Sequence, residues 1–305
     1  MQINQLPTPY VLTADIGGSH ITSAVCNIET NTIIPESLVR IELSSKGSAD
    51  NILKAWENAF QQSIKSVNLP VSALGVAMPG PFDYKKGISY ITGLNKYEAL
   101  YGMDIKQYLA DSLKLNPALI RFRNDAEATI AGEVLAGAGK GFQNVMGITL
   151  GTGFGSAHCL GNLNRDLNLG SSAFKDSIAD DHLSTRWFLK RYYEVSGISV
   201  LGVKELAELA DTNASARQVF KEFAVNMGDF LSEPIYQLNP DVLVICGNIA
   251  KASHFFLSYL KKQLNSINIQ LGQLGEKAAL IGAAGLFEPI EMSPPDDSQT
   301  IITVI

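Results

Sequence analysis

The chain carries short apolar runs separated by turns rich in glycine, asparagine and proline, and two of the resulting units are alike. The first unit contains the glycine turn Asp15-Ile16-Gly17-Gly18-Ser19, and the second contains Gly151-Thr152-Gly153-Phe154-Gly155. Short apolar runs bounded by turn residues predict β-strands, so each unit predicts two strands joined by a glycine turn. The apolar runs that flank the turns span residues 10–14, 21–28, 145–150 and 156–160.

A second pattern, in which apolar residues recur every three or four positions, predicts helices, and the clearest of them covers residues 49–67. Further helices are predicted at 105–113, 126–139, 183–195, 203–209, 214–238, 252–264 and 278–287. Further strands are predicted at 32–43, 71–78, 119–123 and 241–246, and loops at 82–101 and 162–180. Each half thus opens with a strand, glycine turn and strand and continues with helices and strands, which indicates two related α/β domains facing a cleft.

Composition narrows the class of protein. The 305 residues suit two domains, and 46% hydrophobic with 18% charged residues is ordinary for a globular protein. The formal net charge of -6 argues against nucleic acid as a partner. The first seven residues have no basic region, and no apolar run is long enough for a membrane helix, so we expect a cytoplasmic protein without a membrane partner.

Three cysteines lie far apart in apolar strand-like runs, at Cys26, Cys159 and Cys246. Their spacing matches neither a zinc site nor a redox pair, so we expect buried small hydrophobic residues. The last residues, from Glu291 onward, end in an apolar run that either pairs as an edge strand or frays.

The glycine turns are candidate phosphate sites, because a glycine leaves backbone N–H groups open to an anion. The alternative is two ordinary hairpins. The G-x-G-x-G spacing of the second turn and the strand that follows it do not fit a dinucleotide fingerprint. The sequence also contains no G-x-x-x-x-G-K-[ST], so a P-loop is not predicted. The carboxylate of Asp15 would repel a phosphate unless a divalent cation lay between them, so Asp15 is a candidate Mg²⁺ ligand, acting through water.

Asn124 and Asp125 come where a predicted strand ends and a helix rich in small residues begins. One interpretation is a helix N-cap, for which Asp and Asn are favoured. The other is a general base, because a carboxylate at a strand end in a cleft can take the proton of an attacking hydroxyl.

Six motifs in order resemble the ROK family of sugar kinases, within the actin/Hsp70/hexokinase superfamily, over residues 10–287. They are D-I-G-G-S at 15–19, P-G-P at 79–81, N-D-A at 124–126, G-T-G-F-G-S-A at 151–157, P-D-V-L-V-I-C-G-N-I-A at 240–250 and L-I-G-A-A-G-L at 280–286. The resemblance implies an α/β fold with two RNase-H-like domains, the fold of actin-like ATPases, flanking a cleft. The implied domains are residues 1–123 and 124–287, with the segment 288–305 packing back on the first.

The resemblance also implies the roles of individual residues, with ATP and Mg²⁺ as cofactors, a sugar as substrate and a homodimer as assembly. Asp125 resembles the catalytic base that deprotonates the sugar hydroxyl. Residues implied to bind the sugar are Gly80, Asn124 and Asp180. Those implied to bind the nucleotide are Asp15, Gly17, Gly18, Ser19, Gly151, Thr152, Gly153, Gly247 and Gly282.

Three departures from the family pattern bear on function. Ser19-His20 stands where the family usually has Thr followed by Lys or Arg, so a fixed positive charge is missing. Residues 168–176 contain no Glu, His or Cys in place of the family's G-E-x-G-H motif and zinc cysteines, so we expect no structural zinc site. Asp180 would replace a sugar-binding Glu. For His182 a solvent-facing residue at a helix start is favoured over a substitute sugar or zinc ligand.

These features predict an ATP-dependent kinase that phosphorylates a hexose hydroxyl. A sugar-responsive transcriptional repressor is a second possibility, disfavoured because the residues before the first strand are too few for a DNA-binding domain. The third is a silent sugar- or nucleotide-binding protein, which the altered sugar motif favours and the intact Asn124-Asp125 pair opposes.

Overall fold

The computed structural model describes residues 6–161 and 163–288, so the predicted tail from Glu291 lies outside the described residues. Its strands are β1 (Tyr10–Ile16), β2 (His20–Asn27), β3 (Thr32–Ile33), β4 (Val39–Glu42), β5 (Ala73–Met78), β6 (Phe82–Asp83), β7 (Ile88–Ser89), β8 (Ile120–Asn124), β9 (Asn144–Leu150), β10 (Phe154–Leu160), β11 (Leu163–Asp166), β12 (Ala173–Phe174), β13 (Ser177–Ile178), β14 (Val242–Cys246) and β15 (Asn268–Leu271). Its helices are α1 (Ala49–Lys65), α2 (Ile105–Leu113), α3 (Asp125–Ala136), α4 (Ala179–Leu183), α5 (Thr185–Ser196), α6 (Val203–Ala210), α7 (Ala214–Leu238), α8 (Leu257–Gln263) and α9 (Lys277–Ala284).

Two sheets of the same design form the framework. In the first, the order is β3-β2-β1-β5-β8, with β4 also paired to β2; in the second it is β11-β10-β9-β14-β15. Each sheet opens with an antiparallel hairpin, β1–β2 or β9–β10, and continues with two parallel strands. Both predicted glycine turns therefore join the strands of these hairpins, and the predicted duplication is confirmed in the topology.

Separate hydrophobic cores support the two sheets. In the first, α1 covers the sheet with a face that includes Trp56 and Phe60, both fully buried. In the second, α5, α6 and α7 bury aromatic residues such as Phe188 and Phe223 against β9 and β14. Since every residue of β5 and of β14 is buried, these central strands read as continuous apolar runs, which is why the sequence pattern located them well.

Helices α3 and α9 lie between the two sheets and pack closely on each other. A Cβ atom on Gly132 would overlap the carbonyl of Ala278, and one on Gly282 would overlap the carbonyl of Ala128. Helix α9 also contacts β1 and β5 of the first sheet, whereas α3 contacts β9 and β10 of the second. Small residues thus let the two helix backbones approach at the junction between the halves.

Several predicted elements need correction. The predicted loop 82–101 contains the β6–β7 hairpin, and the predicted loop 162–180 contains β11 and the β12–β13 hairpin. The predicted helix 252–264 is a 3₁₀ segment, Ile249–Phe255, followed by α8, because Ala252 departs from helical backbone angles. Strand β15 was missed, since only Ile269 in it is buried and one residue makes no periodic pattern.

Helices at 105–113 and 214–238 are confirmed over their full predicted length. The three cysteines are buried free thiols, as predicted. Within the described parts of the chain, no helix is both long and apolar enough to cross a membrane. Of the segment predicted to return to the first half, only Glu288 is described, and it accepts a 2.8 Å hydrogen bond from Asn31 Nδ2 in that half. The exact domain boundaries stay a prediction.

Candidate active site

Asp15 and Asp125 lie at the same edge of the first sheet. Asp15 is in β1 opposite Ala77 of the parallel strand β5, and Asp125 follows directly after β8, which is parallel to β5. Carboxyl ends of parallel strands meet at one edge of a sheet, where α/β proteins usually place their ligand sites. The topology therefore brings together two carboxylates that are far apart in sequence.

Both carboxyls have raised pKa values. Burial is the main cause of the rise in the pKa of Asp15 from 3.8 to about 7, and the negative charges of Asp125 and Glu276 add to it. Burial also raises the pKa of Asp125, while the Ala126 N–H and the charge of Lys96 act in the opposite direction. Both side chains remain partly exposed to solvent, so they can still meet a ligand. Each carboxyl therefore favours a bound proton or a nearby positive charge.

Asp15 is the carboxylate that is the candidate ligand of a divalent cation. Within residues 6–161 and 163–288 no three His, Cys, Asp or Glu side chains cluster as metal ligands. A Mg²⁺ ion at Asp15 would therefore take most of its oxygen ligands from phosphate groups and water, the usual arrangement for this ion. The donor set thus suits a metal that arrives with a phosphorylated ligand.

Asn124 caps helix α3. Its Oδ1 accepts hydrogen bonds from the backbone N–H groups of Ala126 at 2.9 Å and Glu127 at 3.2 Å. Its Nδ2 donates to Tyr84 Oη at 3.3 Å, and Tyr84 Oη donates to the Met78 carbonyl at 3.1 Å. The helix-cap interpretation is therefore confirmed. A sugar contact by Asn124 stays a prediction, and the side-chain NH₂ group is the part of Asn124 that could make it.

Gly80 lies beside the same tyrosine. A Cβ at Gly80 would come within 3.2 Å of Tyr84 Oη. Gly80, Tyr84 and Asn124 thus form one group next to Asp125, and sugar contacts by Gly80 and Asn124 stay predictions. Tyr84 was missed because it is a single aromatic residue in a predicted loop, and its contact with Asn124 spans 40 positions of the chain.

The first glycine turn is held from a distant loop. Gly17 N–H donates to the His20 carbonyl at 3.0 Å, and the Gly17 carbonyl accepts a 2.5 Å hydrogen bond from Tyr97 Oη. Gly18 and Ser19 are exposed, and a Cβ at Gly18 would have no neighbour within 4 Å. The tip of the turn is therefore open to a ligand.

A fixed positive charge does lie near this turn, although not within it. Burial and the charge of Arg40 lower the pKa of His20, which keeps the imidazole neutral at pH 7. Arg40 belongs to β4, whose pairing with β2 places it next to the turn, and its Nη1 lies 3.0 Å from Glu276 Oε2. The sequence could not reveal this arginine, since strand pairing brings it there.

The second glycine turn is held by α4 and α5. Gly151 N–H donates to the Gly153 carbonyl at 3.0 Å, and the Gly151 carbonyl accepts from Thr185 N and Oγ1, each at 2.9 Å. A Cβ at Gly151 would have no neighbour within 4 Å, so this turn is also open to a ligand. Thr152, at the tip, is exposed.

Asp180 has a role that the sequence did not predict. Its Oδ1 accepts from the Phe154 N–H at 2.5 Å, and its Oδ2 is in close contact with Arg186 Nη2. Oδ1 thus holds the backbone at the end of the second turn and Oδ2 pairs with α5, so both oxygens are engaged and this geometry gives no support to the predicted sugar contact. The expected solvent-facing position of His182 is wrong, because its ring packs on Phe174 and its Nε2 lies 3.1 Å from Asp176.

Gly247 and Gly282, both predicted to close over the adenosine, lie in different surroundings. Gly247 has φ +92° and packs on Leu150 at the end of β9, beside the second turn. It shares with Asp15 a cavity of about 460 Å³. Gly282 is buried inside α9 and does not line this cavity, so the prediction for Gly282 is corrected: helix packing against Ala128 explains this glycine.

The cavity shared by Asp15 and Gly247 has a mixed lining of charged, polar and apolar residues. Besides Asp15 and Gly247 it is lined by residues that include Thr149, Lys251 and Glu276. A second cavity, of about 570 Å³, lies between α6 and the Ile249–Phe255 segment and shares Asn248 and Lys251 with the first. Asn248 and Lys251 thus lie where the two cavities adjoin.

Replacing Asp15 with Asn is expected to stabilise the ligand-free protein near pH 8 and to change little near pH 4. The folded pKa of about 7 lies above the ordinary 3.8, so the folded state holds an extra proton between these values. The contribution of the protonated Asp15 carboxyl to the free energy of unfolding is fully present below pH 4 and is lost as the pH rises through 7. The amide avoids that loss, which is at most about 4 kcal/mol.

Urea denaturation at both pH values measures this difference in the free energy of unfolding. Asp111→Asn, at an exposed position of α2, is the matched control and should not alter the pH dependence. Equal stability of Asp15→Asn and the parent protein near pH 8 would show that the carboxylate is not buried as described.

Tyr97→Phe is expected to destabilise the protein by about 1–3 kcal/mol, because the Gly17 carbonyl loses its buried hydrogen-bond donor. Tyr90→Phe is the matched control, since Tyr90 is exposed and should tolerate the same change. Chemical denaturation measures both. Equal effects of the two substitutions would argue against Tyr97 as the support of the first turn.

Comparisons with known proteins fit this arrangement. A model of the ROK family matches residues 11–170, more than half of the chain. A glucokinase from Thermotoga maritima is 22% identical, with 93% of this chain and 98% of the relative covered. A xylose repressor from Bacillus spizizenii is 20% identical, with 91% of this chain and 76% of the relative covered.

The fold is shared with a solved structure. A ROK family glucokinase from Streptomyces griseus, crystallised with glucose and AMPPNP, superposes with a TM-score of 0.75 at 22% identity, covering 91% of this chain and 98% of that one. The predicted α/β fold of two actin-like domains around a cleft is therefore confirmed.

Proposed function

The chain belongs to the ROK family, and we propose that it is an ATP-dependent kinase that transfers the γ-phosphoryl group to a hydroxyl of a hexose. The observation that carries the proposal is the position of Asp125, a carboxylate with a raised pKa next to Asp15 at the ligand edge of the first sheet. The glucokinase among its relatives supports the same reaction. In this proposal the protein acts in the cytoplasm as a homodimer.

Asp125 would act as the general base. It would accept the proton of the sugar hydroxyl at Oδ2, since Oδ1 already accepts a 2.9 Å hydrogen bond from the Ala126 N–H. Burial raises the pKa of this carboxyl, which makes its ionised form a stronger base. The group formed by Gly80, Tyr84 and Asn124 would orient the sugar beside it.

The two glycine turns would hold the phosphates. Open space at Gly18 and Gly151 leaves the backbone N–H groups at these turns free to meet an anion. The turns are completed by Gly17, Ser19, Thr152 and Gly153. Tyr97 supports the first turn and Asp180 the second, so the backbone N–H donors are in place before the ligand binds. Donors fixed in advance stabilise the charge that develops during phosphoryl transfer.

Asp15 would place the metal. Mg²⁺ bound there, through water, would neutralise phosphate charge in the transition state. Arg40 adds a fixed positive charge next to the first turn, in place of the lysine or arginine that His20 replaces. Gly247 and Lys251 would border the nucleotide in the cavity of about 460 Å³.

A second candidate function is sugar or nucleotide binding without transfer, as in a regulatory protein. The xylose repressor among the relatives and the full engagement of Asp180 favour it. The position of Asp125 opposes it, because a binding protein has no need of a base with a raised pKa at the cleft.

Release of ADP from Mg-ATP, measured across a panel of hexoses and N-acetylhexosamines, tests the proposal. We expect turnover that depends on at least one sugar. Binding of ATP and of a sugar without any turnover would favour the second function. Omitting Mg²⁺ should abolish turnover, and activity that persists in a chelator would contradict the role given to Asp15.

A further inference from the structure

A cavity of about 870 Å³ lies in the second half, between α5, α7 and the β12–β13 hairpin, and shares no lining residue with the cavity that contains Asp15. We propose that this basic cavity is a binding site for a phosphorylated small molecule. The charged and polar residues that line this cavity include Lys175, Arg191, Arg217, Lys221, Glu222 and Asn226.

The basic cavity carries an excess of positive charge in an acidic protein. Four of the cationic side chains of the chain line it, against the single carboxylate of Glu222, while the whole chain has a net charge of -6. Glu222 forms a salt bridge with Arg191, in which Arg191 Nε lies 2.6 Å from Glu222 Oε2. Opposite charges usually intersperse on a surface, so such a concentration marks a site for an anion.

The other three cations have no carboxylate within 4.0 Å among the described residues, yet each is held in place. Lys175 Nζ donates to Asn226 Oδ1 at 2.5 Å, and Lys221 Nζ lies 5.6 Å from the ring centre of Tyr259. Arg217 Nη1 donates to the carbonyls of Ala210 and Asp211 at 3.0 and 2.9 Å. None of these three cations is thus in contact with a carboxylate in the part of the chain that the structure describes, although the pKa of the nearby Glu222 is lowered mainly by its hydrogen bonds with Arg191 and in part by the charge of Lys175.

Phosphate groups match this set of donors. Lysine and arginine make short charge-assisted hydrogen bonds to phosphate oxygens, and several phosphate oxygens can engage several cations at once. The space is an open depression of the surface, and it is large enough to hold a small molecule. The cavity thus suits a phosphate group with a further part attached, such as a sugar or a second phosphate.

The cavity is connected to the second glycine turn. Lys175 is at the tip of the β12–β13 hairpin, and this hairpin leads directly into α4, which carries Asp180. The ring of Phe174 packs on Phe230 with centres 5.2 Å apart, and Phe230 packs on Phe154 at 5.7 Å. A ligand held by Lys175 would therefore bias the segment that positions Phe154, the residue after the turn.

Trp187 gives the experiment a direct signal, because it lines the basic cavity and the other tryptophan, Trp56, is buried in the first half. The full chain is titrated with inorganic pyrophosphate and, separately, with glucose 6-phosphate while its fluorescence is recorded. We expect a saturable change with at least one probe, and its absence from Trp187→Phe. The two arms distinguish a polyphosphate from a sugar phosphate.

Lysine substitutions locate the site. Lys175→Gln combined with Lys221→Gln should weaken binding about tenfold or more, because two charge-assisted hydrogen bonds are lost. Lys190→Gln, on α5 outside the cavity, and Lys251→Gln, in the Asp15 cavity, should leave the affinity unchanged. All four lysines are exposed, so the fold should tolerate these changes.

Three results would overturn the proposal: no saturable binding of either probe at millimolar concentration, equal affinity in the double variant, or a loss confined to Lys251→Gln. None of these measurements uses sugar turnover. A failure here is therefore distinct from a failure of the proposed kinase activity.

Discussion

Asp125→Asn is expected to lower kcat for sugar phosphorylation by about 10²–10⁴-fold, the usual contribution of a general base. The amide has nearly the same shape as the carboxylate but cannot accept the proton of the attacking hydroxyl. KM for ATP should change little, because Asp15 and the glycine turns are untouched. Steady-state assays of ADP release measure both constants.

This substitution should not unfold the protein. Asn124 still caps α3 through its hydrogen bonds from the N–H groups of Ala126 and Glu127. The substitution also removes a partly buried carboxyl group whose pKa is raised by burial. Asp111→Asn, an exposed change of the same chemistry, is the matched control for activity. Turnover of Asp125→Asn equal to that of the control would remove Asp125 from the reaction and leave the base unassigned.

Gly282→Ala is expected to destabilise the protein by about 3 kcal/mol, even though alanine is the better helix former. The added methyl group would overlap the carbonyl oxygen of Ala128, so α3 and α9 would have to separate. These helices lie between the two sheets, and their separation would alter the junction of the two halves. Thermal or urea denaturation of the variant measures the loss.

Gly228→Ala is the matched control, because it is the same change at a buried position of helix α7. The methyl group there would meet the side chain of Gln263, which can move aside, whereas the backbone of Ala128 cannot. We expect Gly228→Ala to lower the free energy of unfolding much less than Gly282→Ala does. Similar losses for the two variants would contradict close packing of α3 and α9 as the reason for Gly282.

Much of the fold could be predicted from the sequence because its signals are local. The apolar runs around the two glycine turns gave the two hairpins, and regular helical spacing gave α2 and α7 over their full length. Elements with few buried residues left no such pattern: β15 buries only Ile269, and the β6–β7 and β12–β13 hairpins have two-residue strands.

For the candidate site, the sequence by itself predicted which residues would carry the chemistry: the paired glycine turns, Asp15 and the Asn124-Asp125 step. Only the tertiary structure decided what surrounds them. Tyr97 reaches Gly17 across 80 positions of the chain, Arg40 comes beside His20 through strand pairing, and Asp180 turns to the Phe154 N–H. Turns and helix caps are set by neighbouring residues, whereas burial, charge and pKa depend on contacts between distant segments, which a local pattern does not record.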